Sequence, residues 1–288
     1  MKRIAVLGGT RFFGKCLVNK ILENNNYIVD VYSRNKSNVS FDRGNKKDLE
    51  DIFSKQYDII IDNICFGSSD AKIVNDIFLA NINWLPQQYI FTSTSFVYKE
   101  MKKYDESISF TFKTTSNKKY PEISYEVGKK ESEYIFQNGV LSDVLLILRP
   151  PYIIGKGDHT KRLSKMISLV KNNSTIEINN NDFHKMSFVD VELLTDILIQ
   201  FIDETNVGIF NVANESSLTS KEIYQLIEKV IDKDVNFVIK DNNKILSPYS
   251  LNQNLCLDIS KLRSVYNKEI VPIELSLISI IRNIYEKN

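Results

Sequence analysis

The chain has 288 residues, 43% apolar and 25% charged, which excludes an intrinsically disordered protein. Its 37 Lys plus Arg balance 36 Asp plus Glu, for a net charge of +1, so no strong overall field draws it to nucleic acid or an anionic membrane. Three scattered cysteines (Cys16, Cys65, Cys256) and two histidines (His159, His184) argue against a disulfide framework and against zinc, and no metal is expected. The apolar stretch after Met1 is too short for a signal peptide and no run approaches a membrane span, so the expected location is the cytoplasm.

In chain order, 4–7 reads as a buried strand and 13–22 as a helix. Strands follow at 28–32, 58–61 and 89–92, with a helix near 71–81. A helix over 125–137 precedes a continuous apolar strand at 144–148. This alternation predicts a doubly wound parallel sheet of Rossmann type. After Arg149 the pattern changes. Pro150-Pro151 breaks the element, and helices at 163–170, 191–201 and 221–230 mix with a short strand at 207–212. Residues 1–150 thus read as a dinucleotide-binding domain. Residues 151–288 read mainly as a smaller C-terminal substrate-binding lobe, with segments near 185–215 crossing back to the sheet.

The first strand runs into Gly8-Gly9-Thr10-Arg11-Phe12-Phe13-Gly14 and a helix follows. Such a turn brings backbone N–H groups and a helix N-terminus up to a pyrophosphate, and side chains there would block the approach. The bland reading is a tight turn without ligand. Arg11 stands where the middle glycine of a G-x-x-G-x-x-G spacing would be, which is expected to place a guanidinium beside the phosphates. Strand two ends Val31-Tyr32-Ser33-Arg34, without the acid that holds the ribose 2′-OH of NAD. Asp30 faces the wrong way if Val29 and Val31 face the core. Ser33 and Arg34 suit a 2′-phosphate, so NADP(H) is favoured and NAD(H) stays open, as does a merely solvated Arg34.

Tyr125 and Lys129 lie at i and i+4, on one helix face. A neighbouring ammonium is expected to lower the phenol's pKa, which makes Tyr125 a candidate general acid/base. Upstream, a strand ends in hydroxyls, Thr92-Ser93-Thr94-Ser95, at the sheet edge where ligands bind.

The glycine turn, this hydroxyl-rich strand end before Val97-Tyr98, the Tyr-x-x-x-Lys helix and Arg149-Pro150-Pro151-Tyr152-Ile153-Ile154-Gly155 occur in one order. In this the chain resembles the extended short-chain dehydrogenase/reductase superfamily, and within it the NAD-dependent epimerase/dehydratase family, over about residues 1–215. The resemblance implies a catalytic trio of Tyr125, Lys129 and Thr94, with Ser93 and Ser95 as neighbours to which the register could slip. It implies cofactor contacts at Gly8, Thr10, Arg11, Phe12, Phe13, Gly14, Ser33, Arg34, Asp62, Asn63, Thr92, Ser93, Pro150, Tyr152 and Ile153, besides Tyr125 and Lys129. It also likens Phe188-Val189-Asp190 to a motif that returns the chain to the sheet after the substrate loop. Ser95, His159, Lys161 and Arg162 are the substrate-side candidates, the last two for a phosphate; a plain surface charge explains either equally well.

The implied activity is an NAD(P)-dependent epimerase or reductase acting on a hydroxyl/keto centre of a sugar or nucleotide-sugar-like substrate. A 4,6-dehydratase is disfavoured, because Ser95-Phe96 stands where such enzymes carry an Asp-Glu pair. Some relatives with the arginine-containing turn bind RNA, and others in the wider superfamily sense the dinucleotide without turnover. The balanced charge opposes the first alternative and the intact Tyr-x-x-x-Lys the second. Relatives often dimerise through the Tyr-x-x-x-Lys helix, which leaves a homodimer open here.

Overall fold

The computed structural model describes residues 1–34, 39–99, 101–242 and 244–286. Its centre is a seven-stranded, all-parallel sheet. The strands are β1 (Lys2–Leu7), β2 (Tyr27–Ser33), β3 (Val39–Ser40), β4 (Ile59–Asp62), β5 (Gln88–Thr92), β6 (Leu145–Arg149) and, after three short strands outside this sheet, β10 (Gly208–Asn211). Their spatial order is β10-β6-β5-β4-β1-β2-β3. The period of two in a strand sorts alternate residues to opposite faces. Ile4, Val6, Ile59, Ile61, Ile90, Leu146 and Leu148 enter one core. Ala5, Leu7, Ile60, Phe91, Leu145 and Ile147 enter the other. Both faces are covered, which is why these strands read as unbroken apolar runs rather than alternating ones.

Helices α2 (Lys46–Phe53), α3 (Ser68–Ala80) and α4 (Tyr125–Gln137) lie in chain order after α1 (Phe12–Glu23). Leu49, Val74 and Phe136 from the first three share one core. The other face takes α1 and α6 (Val191–Glu204), where Leu17 and Ile21 share a core with Leu194, Leu198 and Phe201. Each fully buried aliphatic side chain of this kind contributes roughly 1.5–3 kcal/mol.

Most of the remaining elements gather in a second region. They are β7 (Tyr152–Ile154), α5 (Arg162–Lys171), β8 (Ile176–Ile178), β9 (Phe188–Asp190), α7 (Ser220–Ile231), β11 (Phe237–Ile239) and α9 (Ile273–Tyr285), while α8 (Ser260–Arg263) packs beside β10 with Leu262 in the core of α1 and α6. Two small parallel pairs form here, β7 with β9 and β11 with β8. Leu163 and Met166 of α5, Tyr224 and Ile227 of α7, and Leu277 and Ile281 of α9 share a third core. Phe188-Val189-Asp190 therefore pairs with β7, directly after the Pro150-Pro151 break, and it is β10 that rejoins the main sheet beside β6. Among the described residues no helix is long and apolar enough to cross a membrane, and no group of three or more His, Cys, Asp or Glu could hold a metal ion.

Candidate active site

Three loops leave the carboxyl ends of β1, β4 and β5 and meet above the sheet. In the first, Gly8 takes φ +87°, in the left-handed region that favours glycine. A Cβ on Gly14 would lie 2.2 Å from the Gly8 carbonyl oxygen, so α1 begins pressed against the turn. Arg11 is the N-cap of α1 but supplies no side-chain cap, and the first turn carries no acid. The leading N–H groups of the helix are thus left for an anion. Arg11 is exposed, Thr10 and Phe12 are half-buried, and the Phe13 side chain belongs to the core under α1. Phe12 itself has φ +34° and meets the His159 ring edge-on, with centroids 6.4 Å apart.

At the end of β2, Ser33 is buried and Arg34 exposed. Asp30 sits in mid-strand, opposite Ala5, and accepts a hydrogen bond from the Tyr57 hydroxyl. Among the described residues, the carboxyl end of β2, Val31 to Arg34, supplies no carboxylate of its own. Asp62 is fully buried. Its Oδ2 accepts Arg43 Nη2 at 2.7 Å and the Tyr89 hydroxyl at 2.8 Å, and its Oδ1 accepts the Ile64 N–H at 3.1 Å. Its carboxylate thus holds the strand end from inside. The neighbouring Asn63 is half-buried and accepts the Thr92 hydroxyl at 2.6 Å. That bond fixes the amide, and the Asn63 Nδ2 is left buried with no partner. A donor of this kind is costly unless something accepts from it. The uncapped helix, the glycine cradle and this orphaned amide fit a dinucleotide.

Helix α4 approaches from the other side. Gly128 is required there, because a Cβ would lie 2.3 Å from the Phe66 carbonyl oxygen. Close contact lets Lys129 reach inward, with Nζ donating to the Cys65 and Thr92 carbonyls at 2.7 Å each. Lys129 is 1% exposed, and its ammonium lies 4.8 Å from the Phe66 ring centroid, 4.7 Å from Phe91 and 5.7 Å from Tyr125. Burial lowers its pKa to about 8.

One turn earlier, the Tyr125 hydroxyl comes up beside the Thr94 side chain. Burial pushes the phenol up to about 12, against the opposing effect of Thr94. This corrects the expectation that the Lys129 charge lowers it, since the ammonium is turned toward the two carbonyls. Tyr125 is therefore a phenol at neutral pH.

The four hydroxyl residues at the β5 end diverge. Thr92 binds Asn63, Ser93 donates to buried Glu133, Thr94 meets Tyr125, and the Ser95 hydroxyl is buried without a partner. Of the four, Thr94 alone meets the phenol. Its own oxygen caps the short 3-10 turn at 95–98 by accepting the Phe96 N–H.

Across the cleft, Tyr152 is half-buried among Phe96, Phe188 and Tyr249, and the Arg162 guanidinium lies 5.3 Å above its ring. Ile153 is half-buried, and the Pro150 carbonyl accepts the Ser95 N–H at 2.8 Å. Lys161, with φ +56°, caps α5 and is exposed, as is His159. The structure thus gathers Gly8, Asn63, Thr94, Tyr125 and Lys129 along one ledge, residues 63–67, and sets His159, Lys161 and Arg162 at the neighbouring loop. The sequence pointed to Asn63 but not to Arg43 or Glu133. Glu133 carried a legible signal, being one further turn along the face of Tyr125 and Lys129.

No curated protein sequence matches the chain. Solved structures do resemble it. UDP-glucose 4-epimerase from Thermotoga maritima, solved with UDP-glucose, is 18% identical, with 99% of each chain covered and a TM-score of 0.72. A dTDP-4-dehydrorhamnose reductase from Bacillus anthracis in complex with NADP is 16% identical over 98% of this chain and 99% of its own, with a TM-score of 0.70. The dTDP-glucose 4,6-dehydratase of the same organism, in complex with NAD, is 15% identical over 100% of this chain and 97% of its own, with a TM-score of 0.71. At such identities the likeness shows the fold. Sequence carries the assignment further: the profile of the NAD dependent epimerase/dehydratase family matches residues 4–213, and the chain belongs to that family.

Proposed function

We propose that the protein is an NAD(P)-dependent reductase or epimerase acting on a hydroxyl/keto centre of a sugar or nucleotide-sugar-like substrate. The observation that carries this reading is the Tyr125 phenol beside Thr94, one helical turn from buried Lys129, on the ledge that leads to the glycine turn. A nicotinamide ring held beside this trio supplies the hydride donor or acceptor. The chain's own residues do the rest. Thr94 orients the substrate oxygen. The Tyr125 phenol protonates that oxygen as a ketone is reduced, and takes the proton back in the reverse direction. Lys129 holds the nicotinamide ribose, and Tyr152 and Ile153 wall the ring.

The glycine turn, Thr10 and Arg11 take the pyrophosphate, and the Asn63 amide donates to the adenosine side. Exposed Arg34 at a β2 end that supplies no carboxylate of its own supports NADP(H) over NAD(H). Ser95 beside Thr94 offers a hydroxyl, not an acid, which supports reduction or epimerisation over dehydration. The NADP and NAD complexes of the Bacillus anthracis neighbours support a nicotinamide cofactor of either kind on this fold.

The test is to release and identify any dinucleotide from the purified protein by mass, then titrate NADPH and NADH. Nucleotide-linked 4-ketosugars are next offered while nicotinamide absorbance is followed. Tight NADPH binding with turnover that Tyr125→Phe abolishes is the expected result. Absence of binding to either dinucleotide overturns the reading.

A further inference from the structure

Glu133 and Arg149 form an ion pair with no exposed side-chain surface on either partner. Arg149 Nε lies 3.1 and 3.2 Å from the two carboxylate oxygens, and Nη2 donates to Oε2 at 2.5 Å. Apolar residues of similar volume commonly replace such a pair without loss of stability. What a planar, bidentate pair adds is a fixed direction. Here it fixes the direction between the catalytic helix and the strand end it serves.

Positions 125, 129 and 133 follow one face of α4 at successive turns. Each holds a different group of the same strand end. Tyr125 meets the Thr94 hydroxyl, Lys129 takes the Thr92 carbonyl at 2.7 Å, and Glu133 accepts the Ser93 hydroxyl at 2.5 Å. Arg149 closes the arrangement from below. Its Nη1 donates to the Tyr98 hydroxyl at 2.7 Å, at the far end of the 3-10 turn that Thr94 caps, and Tyr98 donates on to Asn211 of β10 at 2.8 Å. Arg149 also precedes Pro150, whose carbonyl holds the Ser95 N–H. Both neighbours of Thr94 are therefore tied to this one ion pair, Ser93 through Glu133 and Ser95 through the chain that follows Arg149.

We propose that Glu133, paired with Arg149, is a positioning residue: it sets the rotation of α4 against the β5 end and so aligns the Tyr125 phenol with Thr94. This rests on the reading above, in which those two groups act together. Glu133 touches neither substrate nor cofactor, and its effect passes through Ser93 and through the helix.

The experiment removes both charges at once, as Glu133→Met with Arg149→Met, so that no unpaired charge stays buried. Protein labelled with 13C at tyrosine Cζ reports the Tyr125 environment, with Tyr125→Phe assigning the signal and distant Tyr57 as control. The expected result is a folded double variant that binds NADPH within about twofold of the parent. Its Tyr125 resonance is displaced and that of Tyr57 is not, and kcat on the substrate the parent turns over falls at least about tenfold with KM unchanged. An unmoved Tyr125 resonance, or full kcat, makes the pair a core strut only and overturns the proposal. Should the double variant fail to fold, Ser93→Ala leaves the ion pair intact and removes its grip on the strand. A displaced Tyr125 signal then supports the proposal and an unmoved one sinks it. A parent that binds dinucleotide but turns over no sugar nucleotide counts against the proposed function, while the resonance still decides the role of Glu133.

Discussion

The glycine turn and the α4 face reach the same ledge, residues 63–67, by opposite means. On the turn the fit comes from missing atoms: a Cβ on Gly8 would lie 2.5 Å from Ile64 Cγ2, and one on Gly14 2.2 Å from the Gly8 oxygen. On α4 it comes from long side chains turned inward, Tyr125 and Lys129, with Gly128 making room for them. A backbone surface of the first kind serves binding, since N–H groups hold an anion whatever the chemistry. The second kind serves reaction, since it sets protonation states. The two should therefore fail differently.

The sharpest way to break that contrast is Tyr125→Phe. Loss of a positioned acid is expected to lower kcat by about 10²- to 10⁴-fold with dinucleotide affinity unchanged. A fluorescence titration of NADPH beside steady-state rates checks this, and an equal loss of binding would erase the distinction. Next comes Gly14→Ala. Its added carbon overlaps backbone that cannot retreat, and NADPH affinity is expected to fall about a hundredfold, or the fold to lose roughly 1–3 kcal/mol in urea unfolding.

Lys129 sharpens the contrast through pH. Its pKa is near 8 in the folded protein and near the ordinary 10.5 when unfolded, so below about 8 both states hold the proton and the folded state bears the whole cost of the buried charge. Between 8 and 10.5 the unfolded chain binds more protons, so this group's contribution to stability rises with pH. Relative to Lys129→Met, the parent should gain on the order of 2 kcal/mol from pH 7.5 to 10. Urea midpoints at the two pH values decide it, and a constant difference would refute the depressed value. The smallest effect is expected for Arg34→Ser, which should cut the preference for NADPH over NADH by about tenfold while leaving NADH affinity alone.

Much of this was legible in the order of residues. The helix expected at 125–137 is α4 to the residue, because its apolar face and its Tyr-x-x-x-Lys spacing share one period. The tight turn after β1 was also legible, since Gly8-Gly9 follows a buried strand directly, while a turn without ligand stayed open. Less could be read where partners are distant in sequence. Arg43 and Asp62 make a buried pair across 19 positions, and nothing local in Asp42-Arg43-Gly44 announces it. Helix α2 carries only Leu49, Ile52 and Phe53 inward over eight residues, too short a pattern to stand out. The pKa of Tyr125 was misjudged for a related reason. Spacing puts an ammonium one turn away, but the direction in which Lys129 points depends on two carbonyls from separate strand ends.

The pairing of α1 with α6 has a consequence for how the chain is made. Leu17 and Ile21 are covered by Leu194, Leu198 and Phe201, and the outer edge of β6 is closed by β10. A nascent chain that has emerged only through β6 holds every residue of the glycine turn and the Tyr125 helix, yet one face of its sheet carries α1 alone, without α6. Long-range closure of this kind is slow and leaves apolar surface open to misassembly. The cover over α1 is thus complete only once α6 and β10 have been made, and the segments made last before Asn211 finish the surface begun by the segments made first.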